Sequence, residues 1–301
     1  MTKPIVLVWL TLRGVAEFSA TEEQVNRWQT ELPELEFLRV TTQEDFIRNL
    51  SKATYILTYH FCEAWLQLTY RAKWIATPAA GRELLGEKFP ERLYVTFGTF
   101  HGAIMAETAV GMLLAARRGL LPGIGLCTSE MPWPEHLVGR RTIAGSKAVI
   151  LGFGNIGKAV AEKLTALGVH CTGVTRKNIG ELDTLLTTAD ALILALPGTP
   201  ETTNIIGEKQ LAALPKHAVI VNVGRGNAIH ERALAEALTA GHLDAAFLDV
   251  LPEEPYPNDG LLRSAPRCYL LPHASAFAPE YLDLAFAEWK SIYQTRFASA
   301  H

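Results

Sequence analysis

Cysteine is scarce, with four in 301 residues: Cys62, Cys127, Cys171 and Cys268, with no Cys-x-x-Cys pair and no histidine at zinc-finger spacing. That scarcity argues against a disulfide scaffold or a structural zinc site, and no metal is expected. Long hydrophobic runs are missing as well, since no window approaches the roughly 18 uninterrupted apolar residues of a membrane helix. The opening MTKPIVLVWLTLRG holds a single apolar run, Ile5 to Leu10. It lacks the apolar core and cleavage site of a signal peptide and reads as a first β-strand. An excess of one charge is also absent: 28 Lys and Arg against 31 Asp and Glu leave a formal charge of −3. Nucleic-acid and membrane-surface binders normally carry a basic excess, so neither partner is expected. A soluble cytoplasmic protein is the default.

What remains is a core-forming chain, 49% hydrophobic and 20% charged, long enough for two domains. Short Val-, Ile- and Leu-rich runs alternate with helical patterns, which predicts an α/β fold on largely parallel sheets. Strands are expected at Ile5–Leu10, Tyr55–Thr58, Trp74–Ala76, Leu93–Thr96, Ala148–Leu151, His170–Val174, Ala191–Leu196, Ala218–Asn222, Ala245–Leu248 and Cys268–Leu271. Few show polar alternation, as befits strands buried on both faces. Helical spacing marks Thr21–Glu31, Ala106–Arg118, Lys158–Leu167, Glu231–Ala240 and Pro279–Arg296. Leu121–Ser146, rich in proline and glycine, is expected to be a long irregular connection, either an interaction arm or a solvated loop.

The strand Lys147–Leu151 runs directly into Gly152-Phe-Gly154-Asn155-Ile156-Gly157, and a helical pattern follows. A glycine triplet that closes a strand and opens a helix is the context required of a dinucleotide-binding turn. Gly152 makes the tight turn, Gly154 admits a pyrophosphate and Gly157 lets the helix lie against the strand. The anion would sit at the helix N-terminus on unpaired N–H groups. Nineteen residues after Gly157, where an acidic residue would grip the ribose of NAD, stand Thr175, Arg176 and Lys177. A guanidinium there suits a 2′-phosphate, so NADP(H) is favoured, with NAD(H) the alternative.

Three later strand ends carry Arg225, Glu254 and His273. In doubly wound sheets this edge is where ligands bind. The trio suits reduction of a 2-keto acid. Arg225 holds the carboxylate and polarises the keto oxygen, His273 donates the proton, and Glu254 orients and stabilises the imidazolium.

With these residues in place, the chain resembles the D-isomer-specific 2-hydroxyacid dehydrogenases, a group that includes glyoxylate/hydroxypyruvate reductases and phosphoglycerate dehydrogenases. The resemblance covers Lys73–Gly81, Met105–Thr108 with Arg117, Gly152–Gly157, Leu196–Thr202, Asn222–Gly226, Asp249–Pro255 and Pro272-His273. It implies two Rossmann-like doubly wound domains, the dinucleotide-binding domain (99–274) being inserted into a discontinuous substrate domain (1–98 and 275–301), with the active site in the cleft. It further implies that Ala80 and Gly81 hold the substrate carboxylate with Arg225. Leu196, Pro197, Thr202, Val223, Gly224 and Asp249 would line the cofactor, Asp249 near the nicotinamide carboxamide. A homodimer through the nucleotide domains is implied too. His230, where many members carry aspartate, and His101, in Gly98-Thr-Phe-His101, depart from the common pattern. Tyr59 and His60 follow a strand end and either line the pocket or are ordinary loop residues.

The expected activity is hydride transfer between NAD(P)H and a small 2-keto acid such as glyoxylate or hydroxypyruvate. Alternatives are a phosphoglycerate dehydrogenase-like enzyme and a nucleotide-sensing binding protein like the related corepressors, the latter disfavoured by the absence of a long appended tail. A methyltransferase is disfavoured because Ile156 stands where its third glycine would be.

Overall fold

The computed structural model describes residues 3–12, 14–81, 85–86, 88–121 and 140–298. Residues 122–139 of the expected Leu121–Ser146 connection, Cys127 among them, lie outside the described residues. The chain forms two compact units, Met1–His101 with Phe277–His301, and Gly102–Ala276.

In the first unit, β1 (Ile5–Trp9), β2 (Glu36–Arg39), β3 (Tyr55–Thr58), β4 (Trp74–Thr77) and β5 (Tyr94–Phe97) form a sheet in the order β2-β1-β3-β4-β5. All its pairings are parallel. Alternate residues serve opposite faces. Leu7, Ile56 and Ile75 join a core with Phe46, Leu50 and Phe61. On the C-terminal helix Tyr281–Arg296, Trp289 stacks on Trp74 at 4.9 Å and an interplanar angle of 4°. The chain end therefore closes the sheet on which its beginning lies. β2 was absent from the expected strands because it is a half-exposed edge strand, Glu-Phe-Leu-Arg, without the apolar run of a central one.

In the second unit, β6 (Lys147–Leu151), β7 (His170–Val174), β8 (Ala191–Leu194), β9 (Val219–Asn222), β10 (Ala245–Leu248) and β11 (Cys268–Leu270) form a second wholly parallel sheet, ordered β11-β10-β9-β8-β6-β7. Leu192, Leu194, Ile220 and Leu248 pack on one face. Ile150, Ile193, Val221 and Phe247 pack on the other, against the helices Gly102–Arg117 and Asn155–Ala166. The strand order reverses between β6 and β8, which creates the crevice where doubly wound sheets bind ligands.

Candidate active site

The glycine turn lies at that reversal. Gly152 has φ +98°, and a Cβ there would stand 2.5 Å from the Ala195 carbonyl oxygen just past β8. Gly154 is the N-cap of the helix Asn155–Ala166, and no heavy atom lies within 4 Å of where its Cβ would be. An open cradle beside the helix's unpaired first-turn N–H groups, those of Asn155, Ile156 and Gly157 among them, fits a pyrophosphate. The residues present therefore fit a dinucleotide.

At the carboxyl end of β7, Thr175, Arg176 and Lys177 are exposed. Asn178 Oδ1 accepts from the Thr175 amide at 2.8 Å and from its hydroxyl at 3.0 Å, while Thr175 Oγ1 accepts the Lys177 N–H at 3.3 Å. Thr175 thus shapes the turn that offers Arg176. After β8, Thr202 donates its hydroxyl to the carbonyls of Pro197 (2.7 Å) and Thr199 (2.9 Å), closing the Leu196–Thr202 loop. Its Glu201 carboxyl is held below the usual range, chiefly by the Thr199 side chain and its own backbone, with a smaller contribution from the Arg176 charge.

Arg225 rises between two loops. A Cβ on Gly224 would lie 2.5 Å from the Leu196 nitrogen, and one on Gly226 would lie 1.9 Å from the Leu251 carbonyl carbon. No side chain fits in either place, so the backbone on both sides of the arginine is locked against the loops after β8 and β10. The half-buried Arg225 donates from Nη1 to the Gly224 carbonyl at 2.8 Å.

Glu254 and His273 meet at the neighbouring strand ends. His273 Nδ1 lies 2.7 Å from Glu254 Oε2, and Glu254 Oε1 accepts the Leu251 N–H at 2.9 Å. A carboxylate only accepts, so Nδ1 is the donor and Nε2 is left to exchange a proton. His273 has φ +55°, left-handed backbone that costs a non-glycine residue about 1–3 kcal/mol and is concentrated at functional sites.

The second unit thus brings together Arg225, Glu254, His273 and the glycine turn on one sheet edge, with Val223 and Asp249 fully buried beneath them. The Asp249 carboxylate accepts N–H bonds from Ala274 (2.8 Å) and Ser275 (3.0 Å). Asn222, which no sequence pattern singled out as a site residue, is equally buried at the end of β9.

The sequence model of the family "D-isomer specific 2-hydroxyacid dehydrogenase, NAD binding domain" matches residues 110–275. The chain belongs to the D-isomer-specific 2-hydroxyacid dehydrogenase family. It is 40% identical over 200 residues to the glyoxylate/hydroxypyruvate reductase B of Pectobacterium atrosepticum, covering 58% of this chain and 59% of that one. To the D-3-phosphoglycerate dehydrogenase of Mycobacterium tuberculosis it is 34% identical over 191 residues, 60% of this chain but only 36% of that protein. The matches therefore span well under two thirds of these relatives' own lengths. A D-isomer-specific 2-hydroxyacid dehydrogenase family structure from Aeromonas salmonicida superposes with a TM-score of 0.78 at 26% identity, covering 97% of this chain and 96% of that one.

The remaining site expectations fall in the first unit. After β4, where Thr77 Oγ1 accepts the Ala79 N–H at 3.1 Å, Ala80 is exposed and Gly81 half-buried. Tyr59 is buried, and burial pushes its hydroxyl well above the usual phenol range, with Tyr281 adding to the effect. His60 is exposed, its ring edge-on to Trp65 at 5.6 Å. Both departures from the family pattern acquire roles. His101 is buried and lies 3.1 Å from the Tyr281 hydroxyl. In the second unit, His230 N-caps the helix Glu231–Thr239, Nδ1 accepting the Ala233 N–H at 3.2 Å. It therefore serves as a helix cap. Among the described residues, no group of three His, Cys, Asp or Glu could hold a metal, and no helix is long and apolar enough to cross a membrane.

Proposed function

We propose that this chain reduces a small 2-keto acid, of the glyoxylate or hydroxypyruvate type, to the 2-hydroxy acid. The observation that carries the reading is the Glu254–His273 pair at 2.7 Å, on the same sheet edge as Arg225 and the glycine turn. When bound, the dinucleotide supplies a hydride from its nicotinamide ring. Arg225 binds the substrate carboxylate through its planar fork of donors and polarises the keto oxygen as negative charge develops there. His273 holds a proton on Nε2 and passes it to that oxygen, while Glu254 fixes the ring's orientation and stabilises the imidazolium before transfer. Ala80 and Gly81 add backbone donors for the carboxylate.

NADPH is the proposed reductant. Exposed Arg176 stands where a carboxylate would otherwise exclude a 2′-phosphate. The proposed working form is a cytoplasmic homodimer joined through the dinucleotide-binding unit. The test is turnover of a panel of 2-keto acids with NADPH and with NADH, together with Arg225→Ala. Expected are activity on two- and three-carbon keto acids with NADPH preferred, and loss of both turnover and keto-acid binding in the variant. A protein that binds NADPH but oxidises none with any keto acid would sink the reductase reading in favour of a nucleotide sensor. A variant as active as wild type would remove Arg225 from the mechanism.

A further inference from the structure

We infer that Tyr256 is a positioning residue: its hydroxyl, held by Glu231, fixes the segment that aims Glu254 at His273. The inference rests on the reductase reading for the roles of Glu254 and His273, and on the following geometry for its own content.

Residues 251–260 follow β10 without helix or strand, and Tyr256, 8% exposed, is the one buried residue among them. Glu254 sits in the open part, its side chain 38% exposed. On one side the Glu254–His273 pair borders a cavity of about 470 Å³, lined also by Tyr256, Arg263, Leu270 and Pro272, so no packed side chain wedges carboxylate against imidazole from there. The bond from the Leu251 N–H to Glu254 Oε1 stays within the same segment. The aim of the carboxylate therefore depends on where the segment itself is fixed.

It is fixed at two points, with Glu254 between them. At its start Leu251 and Pro252 press on Gly226, where a Cβ would stand 1.9 Å from the Leu251 carbonyl carbon. Further along, Tyr256 is bound three ways. Its ring lies in the core with Leu234, Leu238 and Leu262, and against Gly260, where a Cβ would stand 2.4 Å from Cε1. Its carbonyl accepts from Arg263 Nη2 at 2.8 Å, and the Pro257 carbonyl accepts from Arg263 Nε at 2.7 Å. Its hydroxyl donates to the Glu231 carboxylate, in the first turn of the helix Glu231–Thr239, and accepts the Leu262 N–H at 3.1 Å. Burial, reinforced by the bond to Glu231, pushes that hydroxyl up to about 12, so it is the donor at neutral pH.

Packing alone does not call for the hydroxyl. A phenylalanine ring would fill almost the same volume, and a hydroxyl withdrawn from water needs partners to be tolerated. Both partners lie outside residues 251–260, Glu231 on one helix and Leu262 on the short helix Leu261–Ser264. The hydroxyl thus ties the segment to two helices, two residues beyond Glu254. A misplacement of about 1 Å can cost on the order of a hundredfold in rate. Arg225 stands at a different strand end, so loosening the tie should harm proton transfer and spare carboxylate binding.

The test is a double-mutant cycle of Tyr256→Phe with Glu254→Ala in the full chain, with kinetics expressed per NADPH-binding site, titrated by the fluorescence of bound NADPH. Tyr256→Phe should lower kcat at least about fivefold, with keto-acid KM and NADPH Kd each within about twofold of wild type. In the Glu254→Ala background, where no carboxylate is left to aim, the same substitution should change kcat by less than about twofold. A purely structural role would lower only the number of sites, or lower kcat by the same factor in both backgrounds, and either result overturns the inference. So does a loss in Tyr256→Phe that appears mainly in KM or Kd. If Glu254→Ala shows no turnover, the split between kcat and KM in Tyr256→Phe decides alone. If Tyr256→Phe does not fold, Glu231→Ala, which removes the same tie, decides by the same criteria; if neither folds, the hydroxyl serves stability only and the inference falls. A wild type without turnover defeats the reductase reading and the inference with it, whereas an active wild type with a kinetically silent Tyr256→Phe defeats only the positioning role.

Discussion

Replacing Gly157 with alanine sets two well-measured effects against each other, and the structure decides the sign. Within a helix, alanine is favoured over glycine by about 0.5–1 kcal/mol, so propensity alone predicts a more stable protein. At Gly157, however, the new Cβ would stand 2.1 Å from the Gly152 carbonyl oxygen, 3.1 Å from its carbonyl carbon and 3.2 Å from Ile150 Cγ2. The nearest partner is backbone in a tight turn, and it would have to retreat by about 1 Å to reach ordinary contact distance. Overpacking of this kind costs about 1–3 kcal/mol, which leaves a net loss of about 1–2 kcal/mol after the propensity gain. For a unit of this size that is a fall in Tm of about 2–8 °C. Because the retreat opens the turn between β6 and its helix, NADPH affinity should fall as well. Gly154→Ala is the paired control, since its Cβ meets no heavy atom within 4 Å. It should leave Tm within about 2 °C, because the weaker N-cap offsets the reduced freedom of the unfolded chain, yet still weaken NADPH binding by filling the cradle. Thermal unfolding and NADPH fluorescence titration read both quantities. A Gly157→Ala protein as stable as wild type, or a Gly154→Ala protein with undiminished NADPH affinity, would refute the assignment of these glycines.

Arg176→Asp should weaken NADPH binding and leave NADH binding similar or tighter, checked by competing fluorescence titrations, since a carboxylate repels a 2′-phosphate and accepts from a ribose hydroxyl. Asp190, at the opposite edge of the second sheet, lies 3.5 Å from the buried Arg117 and 2.8 Å from His217 Nε2. Burial alone would raise its carboxyl, but the Lys147 N–H, the His217 side chain and Arg117 outweigh this and hold it below the usual value. A depressed folded value gives stability that is present above the ordinary carboxylate range and is lost as pH falls through the folded value. Asp190→Asn should therefore cost about 3 kcal/mol at neutral pH and flatten the acid limb of a stability–pH curve, as followed by urea unfolding. His230→Asp should keep the helix cap and change Tm little, whereas His230→Ala should lose about 0.5–2 kcal/mol. Neither should alter the choice of keto acid, which is read by KM across the panel.

Much of the fold was legible because burial on both faces leaves a strong signature. Ala191–Leu194 and Val219–Asn222 are central strands whose alternate residues feed different cores, and both read as apolar runs, the second broken only at its last residue. The edge strand β2 and the short helices Gln43–Asn49 and Glu208–Ala213 escaped notice, since each is too short or too polar for periodicity to register. The glycine turn and the trio were legible for a chemical reason, as each needs a rare residue type at a strand end. Strand ends are easy to locate when strands are apolar.

Two site features were not legible. His230 read only as a departure from the family pattern, bearing on either substrate or local packing, and it is a cap, because Nδ1 of histidine accepts an N–H much as a carboxylate oxygen does. Asn222 and Asp249 lay inside familiar motifs, yet their partners at Arg225 and Ala274–Ser275 depend on how two turns fold back.

By itself the sequence determined the chemistry on offer: a phosphate-cradling turn, a guanidinium in place of an acidic residue at Arg176, and an arginine, a glutamate and a histidine at the ends of buried strands. These follow from residue type and local spacing, which act over a few residues. Only the tertiary structure decided that β9, β10 and β11 lie side by side, so that residues 29 and 19 positions apart become neighbours at one edge, with Glu254 and His273 at 2.7 Å. It alone placed His273 in left-handed backbone and buried an aspartate beneath it. The physical reason is that strand order and turn closure are set by long-range pairing and burial, whose partners are distant along the chain.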